Sequence, residues 1–362
     1  VNEDDLFLGT LDPWVILSQI ASHTDTADLH PLSLLPTGPV LRSTLDLQLQ
    51  LQSGKAFVLV YIDIDNFKAF NDRYGFIRGD AMIKLLAEIL RQQRTAWNDA
   101  TLGHIGGDDF IVVFSSDRSN LLSELLSVTH LFHHLSALMY DKHDLRSGYF
   151  ETESGDRYPV AALSVIVVNG CTGPLADSLA ASERAAHLKK LAKSQPGSVV
   201  VVEGQPPQVF PIPFQSYQDS WRQVALRALE HISGTSRDRT PHDLDKLFET
   251  YPFFELVYEL DARGIQCRPN WIHPQFRGRI KGGGAGTDRS AQPYYREVAA
   301  TQKPYVSDIY VSIASQEFCA TISIPLMNSN GDGTLTGVLV ADINLPGLVE
   351  LLKRSALEAC SG

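Results

Sequence analysis

The apolar run at residues 57–62 passes straight into Asp63-Ile64-Asp65. Further along, Gly106-Gly107-Asp108-Asp109 separates the apolar stretches 101–105 and 110–114. A short apolar run that enters an acidic residue predicts a buried strand delivering a carboxylate to the end of a sheet. The Gly-Gly-Asp-Asp segment predicts a hairpin whose tip carries two more carboxylates, because glycine reaches the positive φ a tight turn needs. Acidic groups gathered from separate strands repel one another unless a cation lies among them, and an oxygen-only set suits Mg²⁺ or Mn²⁺.

The chain has 362 residues, 44% hydrophobic and 20% charged, enough for two globular domains. Its net charge of −11 excludes a nucleic-acid backbone as the main partner, which would call for a basic face, and leaves a nucleotide with Mg²⁺ compatible. No apolar stretch is long enough for a membrane helix and no signal peptide opens the chain. Cys171, Cys267, Cys319 and Cys360 lack C-x-x-C spacing and read as free, mostly buried thiols of a reducing cytosol, so the expected location is cytoplasmic. The chain opens on Val1, which suggests a piece of something longer.

In chain order, residues 6–24 space apolar groups as a connecting helix would. A turn at 30–38 then precedes a helix over 40–52 with a Leu41, Leu45, Leu49 stripe. Helices are expected over 67–74, 80–93, 121–140 and 175–193, and strands over 160–168 and 198–203, with 141–157 a polar surface excursion. His130, His133 and His134 have no carboxylate in register and read as a half-exposed helix face rather than a metal site. Strands alternating with helices, plus one hairpin, predict a mixed sheet with helices packed on it. Four prolines within 206–213 make a rigid spacer that no helix or central strand tolerates, and the domain boundary is expected there. A helix over 218–232, another over 244–251 and a strand over 255–260 follow. Strand pairs at 320–325 and 336–344 then flank a turn at 328–333.

Asp63-Ile64-Asp65-Asn66-Phe67-Lys68-Ala69-Phe70-Asn71-Asp72, then Gly75, Gly79-Asp80 and Gly106-Gly107-Asp108-Asp109-Phe110, resembles the GGDEF domain of bacterial diguanylate cyclases, as a GGDDF variant. The resemblance implies an α+β, nucleotide-cyclase-like fold with a mixed central sheet flanked by helices. It also implies condensation of two GTP to cyclic di-GMP with release of pyrophosphate, two Mg²⁺ (or Mn²⁺) per active site, and a homodimer, because each site holds one GTP. Asp63 and Asp108 match side-chain metal ligands and Ile64 a backbone-carbonyl position. Asp108 and Asp109 match the catalytic pair, with Asp109 one methylene shorter than the usual Glu. Asn71 and Asp80 match the guanine readers. Phe67 and Lys68 match the phosphate-binding turn, as do Lys189 and Lys193 one helical turn apart. His104 and Phe76 replace a usual Arg and His. Trp97 and Ala100 stand where the inhibitory R-x-x-D would be, so product inhibition through that site is not expected.

Asp288-Arg289-Ser290 with Pro293-Tyr294-Tyr295, Ser307-Asp308-Ile309-Tyr310, Ile324-Pro325 and 337–343 resemble PAS-like Cache sensor domains, which implies an antiparallel sheet with helices and a possible small-molecule ligand. Tyr294, Tyr295, Tyr310 and Asp342 are the ligand candidates. Gln292 stands where such sensors carry a carboxylate-binding Arg, so an ordinary α-amino acid is not the expected ligand. The glycine-rich 281–287 lacks the Gly-Lys-Ser/Thr of a phosphate loop and reads as a loop near that pocket.

The organisation expected is a linker at 1–30, a GGDEF domain at 31–205, a Pro-rich linker and helix at 206–240, a Cache domain at 241–350 and a tail at 351–362. The function expected is a diguanylate cyclase regulated by a C-terminal cytoplasmic sensor. A second reading is a catalytically silent GTP-binding domain regulating an upstream enzyme such as a cyclic di-GMP phosphodiesterase.

Overall fold

The structure is a computed structural model that describes residues 28–51, 58–93, 96–116, 118–160, 162–169, 178–195, 197–210, 220–234, 246, 248–278, 280, 283–307, 310–311, 318–328, 333–344 and 346–351. It divides into two compact units, Val1–Ile212 and Pro213–Gly362. The connecting helix expected over 6–24 lies outside the described residues, as do Cys171 and Cys360.

Unit 1 is built on a six-stranded sheet in the order β2-β3-β1-β6-β7-β8. The strands are β1 (Val58–Ile64), β2 (Ala100–Gly106), β3 (Asp109–Phe114), β6 (Leu163–Asn169), β7 (Ser198–Val202) and β8 (Gln208–Phe210). β1 lies between β3 and β6 and runs antiparallel to both, while β6 and β7 are parallel, so the sheet is mixed as expected. Alternation along β1 assigns the faces. Leu59 joins Ile111, Val113, Ile166, Val168, Val199 and Val201 in a buried core under helix Ser178–Lys193, which contributes Ala185, Leu188 and Ala192. Asp63, two steps beyond Tyr61, falls on that same helix-covered face.

Helices α1 (Gly38–Leu51), α2 (Phe67–Tyr74), α3 (Phe76–Gln92) and α4 (Leu121–Ser136) complete the layer, with α5 (Lys142–Ser147) and α6 (Ser178–Lys193) after them. Several boundaries differ from the sequence reading. α3 starts at Phe76, not at residue 80, because Gly75 takes φ 84° as its N-cap and the helix runs through Gly79. α4 stops at Ser136 and tightens into a 3₁₀ turn, Ala137–Met139.

The polar excursion contains α5 and a hairpin, β4 (Tyr149–Glu151) with β5 (Arg157–Pro159). It is pinned to α2 by a hydrogen bond from the Tyr74 hydroxyl to Asp144 and by packing among Phe70, Tyr74, Tyr140 and Phe150. The proline-flanked segment pairs as edge strand β8 instead of remaining a free spacer. An edge is the one place in a sheet where flanking prolines cost no ladder bond.

Unit 2 carries an antiparallel sheet in the order β10-β9-β14-β13-β11, with β12 also paired to β13. Its strands are β9 (Leu256–Asp261), β10 (Trp271–Ile272), β11 (Tyr305–Val306), β12 (Tyr310–Val311), β13 (Phe318–Met327) and β14 (Leu335–Asn344). Helices α7 (Ser220–Gly234) and α8 (Pro293–Thr301) pack on it. The β13–β14 hairpin is longer at both ends than the sequence pattern showed. Cys319 is buried and Cys267 exposed, both free, so the expectation of buried thiols holds for only one of them. No helix among the described residues is long and apolar enough to cross a membrane.

Candidate functional site

β1 and β3 bring two carboxylates face to face, since Asp63 is the direct cross-strand partner of Asp109. The Gly106–Gly107 turn, with φ of 152° and 61°, carries Asp108 between them. Ligand oxygens of Asp63, Asp108 and Asp109 lie within 4.8 Å of one another. Like charges directly opposite on a ladder destabilise it, and two lysines answer here. Lys189 Nζ is 2.6 Å from Asp63 Oδ1 and 2.6 Å from Asp109 Oδ1, and Lys193 Nζ is 3.0 Å from Asp63 Oδ2. Positions i and i+4 share one face of α6, and that face overhangs Asp63. Asp109, though shorter than glutamate, reaches the cluster.

A fourth carboxylate belongs to this group and was not singled out from the sequence. Asp65 follows Asp63 at strand spacing and accepts a 2.8 Å bond from Ser164 Oγ. Burial pushes Asp65 up to about 6, the Ser164 bond working against that and the Asp63 charge with it. Burial, and then Asp63, also raise Asp108. For Lys189, burial alone would lower the pKa, but its bonds to Asp109 and Asp63 prevail and hold it at about 12. Four carboxylates thus face two ammoniums, an excess of two negative charges. One divalent cation matches that excess, and the all-oxygen donor set fits Mg²⁺ or Mn²⁺. The Ile64 amide, in turn, points to the Asp108 carbonyl at 3.4 Å.

The other expected residues form a second group on α2 and α3. Phe67 and Lys68 open α2 behind Asn66, which adopts a left-handed φ of 59°. The Asn71 side chain lies against Gly79, where an added Cβ would meet Asn71 Oδ1 at 1.8 Å. That oxygen is buried without a hydrogen-bond partner, and Asp80 follows directly. Among the described residues no hydrogen bond or ion pair joins Lys68, Asn71 or Asp80 to the acidic cluster.

His104, visible in the sequence only as a departure from a pattern, is fully buried and bonded at both ring nitrogens. Nδ1 is 2.9 Å from Ser33 Oγ and Nε2 is 3.0 Å from the Gly107 carbonyl. Burial pushes it down to about 4, the Gly107 bond opposing and neighbouring His30 assisting.

In unit 2, Thr321 donates to Asp342 Oδ1 at 2.5 Å, and the Tyr310 hydroxyl, 2.5 Å from Thr321 Oγ1, donates to it in turn. Asp342 is half-buried between its strand neighbours. Burial pushes it up to about 6, with the Thr321 bond and the Arg289 charge opposing. The Arg289 guanidinium stands 5.8 Å from the Tyr258 ring centroid, against Gly283 of the glycine-rich loop, and its Nε is buried without a partner. Tyr294 and Tyr258 adjoin it. Tyr295 is used elsewhere, donating to the Ala262 carbonyl at 2.8 Å. The sequence did not point to Arg289 and Tyr258 as site residues, because only the fold brings them near Asp342.

The family model for the diguanylate cyclase GGDEF domain matches residues 28–146. Unit 1 carries a GGDEF domain. Diguanylate cyclase DgcS of Shewanella oneidensis is 40% identical over 75 residues, 20% of this chain and 25% of that protein. Diguanylate cyclase DgcP of Escherichia coli is 28% identical over 138 residues, 38% of this chain and 36% of that protein. The crystal structure of the GGDEF domain of DgcB from Caulobacter crescentus in complex with c-di-GMP aligns with a TM-score of 0.37 at 19% identity, covering 50% of this chain and 96% of that one. The chain spans only 25% and 36% of the length of these two curated relatives. The GGDEF cyclase family generally uses divalent metals, and the acidic cluster lies within the segment matched.

Proposed function

We propose that unit 1 condenses two GTP molecules into cyclic di-GMP. Each 3′-hydroxyl attacks the α-phosphorus of the other nucleotide, the bond to the β-phosphate breaks, and pyrophosphate leaves. The observation that carries this reading is the convergence of Asp63, Asp108 and Asp109 within 4.8 Å beneath Lys189 and Lys193. Asp63 and Asp108, with the Ile64 carbonyl, would hold Mg²⁺ or Mn²⁺, which when bound supplies charge stabilisation to the phosphoryl oxygens. Lys189 and Lys193, displaced from the carboxylates by that cation, would turn to the phosphates, together with Lys68 and the amides near Phe67. Asp80 would accept from the guanine N1 and N2 hydrogens, with Asn71 completing the pattern. Asp109, on the exposed side of the cluster, faces the incoming hydroxyl. One nucleotide per domain requires two domains facing each other, hence a homodimer. In a test, purified chain incubated with GTP and Mg²⁺ or Mn²⁺ is expected to yield cyclic di-GMP by chromatography, with the product lost in Asp108→Ala. GTP binding without product, unrelieved by enforced dimerisation, would instead favour a silent GTP-binding regulator.

The reading extends to unit 2 as a Cache-type regulatory domain whose ligand group is Tyr258, Arg289, Tyr294, Tyr310 and Asp342. Its sheet order and the resemblance around 288–295 support this. A guanidinium and a carboxylate that lie near each other without an ion pair suit a small molecule with opposite charges. Among α-amino acids, ω-amino acids and polyamines, a compound raising the melting temperature of the chain is expected to lose its effect in both Asp342→Asn and Arg289→Gln. A shift retained in both variants would remove this group from the ligand site.

A further inference from the structure

We infer that His104 is a positioning residue that, held by Ser33, orients the Gly107–Asp108 peptide and so aims Asp108 at the acidic cluster. The inference rests on the reading of that cluster as a divalent-cation site.

The geometry begins in β2. Its register to β3 shifts between His104, opposite Phe110, and Gly106, opposite Asp109, leaving Ile105 as the extra, exposed residue. A bulge of this kind re-aims the chain beside a turn. It leaves the His104 ring flat against Phe110, with centroids 4.2 Å apart and planes 5° off parallel, and His30 at 3.7 Å on another side. A side chain that only filled this space could be apolar. His104 instead ties two segments together through its two nitrogens.

The donors and acceptors run in one direction. The Gly107 carbonyl can only accept, so Nε2 carries the hydrogen. The neutral ring then offers a lone pair at Nδ1, and the Ser33 hydroxyl donates to it. Ser33 Oγ in turn accepts from the Leu35 amide at 3.3 Å. Ser33 itself is held in place, since Arg91 donates to its carbonyl, the His104 amide donates to the Pro36 carbonyl at 2.9 Å, and Leu29 bridges Pro36. A chain of bonds therefore leads from the turn at 29–36 to the peptide just before Asp108. That peptide is part of a Gly-Gly turn with no Cβ to restrict it, so the His104 bond limits where Asp108 can point. Partners one step behind a metal ligand typically change cation affinity by about 10- to 100-fold.

Two substitutions separate the halves of the ring. His104→Gln can keep the donor to Gly107, whereas His104→Asn keeps only the acceptor facing Ser33. Mn²⁺ binding to the full chain, followed by electron paramagnetic resonance, is expected to weaken at least ~10-fold in His104→Asn and to stay within about threefold of wild type in His104→Gln. Ser33→Ala frees the ring to adopt the other tautomer and is expected to weaken binding as well. Wild-type affinity in both His104→Asn and Ser33→Ala overturns the inference. Absence of Mn²⁺ binding in the wild-type protein overturns the cation reading itself, and the two failures are distinguishable.

If a variant does not fold, ¹⁵N spectra of histidine-labelled wild-type protein provide the test. The expected signal is a neutral Nε2–H tautomer at His104 that persists from pH 8 to pH 5.5. An Nδ1–H tautomer would overturn the positioning role.

Discussion

Lys189→Met is expected to make the folding of unit 1 depend on a divalent cation. Asp63 and Asp109 are cross-strand partners, and the Lys189 ammonium lies 2.6 Å from an oxygen of each. Removing it leaves the Asp63 side chain, 4% exposed, facing a second carboxylate across the ladder, with Lys193 as its remaining cation. Breaking a fully buried pair costs about 3–5 kcal/mol, and the partial exposure of Lys189 and Asp109 reduces this to roughly 2 kcal/mol. Thermal melts in chelator should show the variant well below wild type, with Mg²⁺ or Mn²⁺ restoring more of the melting temperature in the variant than in wild type.

The pH dependence has a definite sign. Lys189 is raised above its unfolded value, so its contribution is fully present below that value and is lost only as pH rises through about 12. Asp65 is an acid raised to about 6, so in the metal-free protein it disfavours folding above that value. The folded state binds the extra proton, and stability returns as pH falls from 6 toward the ordinary carboxylate range. Asp65 carries this penalty in both proteins, but Lys189 holds Asp108 down, so without it Asp108 takes up a proton at higher pH and the deficit of Lys189→Met in chelator should shrink as pH falls toward the carboxylate range. His104, depressed to about 4, works in the opposite direction in both proteins and cancels from the comparison. A chelator melt equal to wild type, or a cation response no larger than wild type, would show that Lys189 is not the counterion of this cluster.

The acidic strand end and the Gly-Gly hairpin were legible because both are local patterns. An apolar run must be buried, and a Gly-Gly pair must turn. Lys189 and Lys193 were legible as a pair by helical spacing, although nothing local says that their helix covers the β1 face bearing Asp63. What the sequence hid depends on distant partners. Asp65 looks like one more acid after a strand until Ser164 and burial distinguish it. Residues 141–157 read as a polar surface segment, yet Phe150 is buried and Asp144 holds Tyr74 at the end of α2. Arg289, in a stretch of small and polar residues, resembles a solvated loop charge. Only the antiparallel sheet of unit 2 brings it beside Tyr258 and toward Asp342. The start of α3 was misread for the opposite reason. Gly79 discourages a helix locally, and it is retained where the side chain of Asn71 needs the space.

Gly79→Ala should therefore weaken the proposed GTP binding without unfolding the domain. A methyl at residue 79 would fall 1.8 Å from Asn71 Oδ1, far inside contact distance, and the atom it strikes is the end of a side chain that can rotate away. The backbone need not move, and alanine inside α3 is favoured over glycine by about 1 kcal/mol, so the melting temperature should hold or rise. What is lost is the placement of the Asn71 amide against Gly79, one residue before Asp80. With that amide turned aside, GTP affinity is expected to fall at least ~10-fold, in line with the ~1–3 kcal/mol that follows from leaving a buried polar partner unmatched. The cause is isolated by a double-mutant cycle. In an Asn71→Ala background there is no amide left to displace, so adding Gly79→Ala should cost little further affinity for GTP measured calorimetrically. An equal loss in both backgrounds would mean that residue 79 acts on the nucleotide by another route, and the assignment of Asn71 to guanine would fall with it.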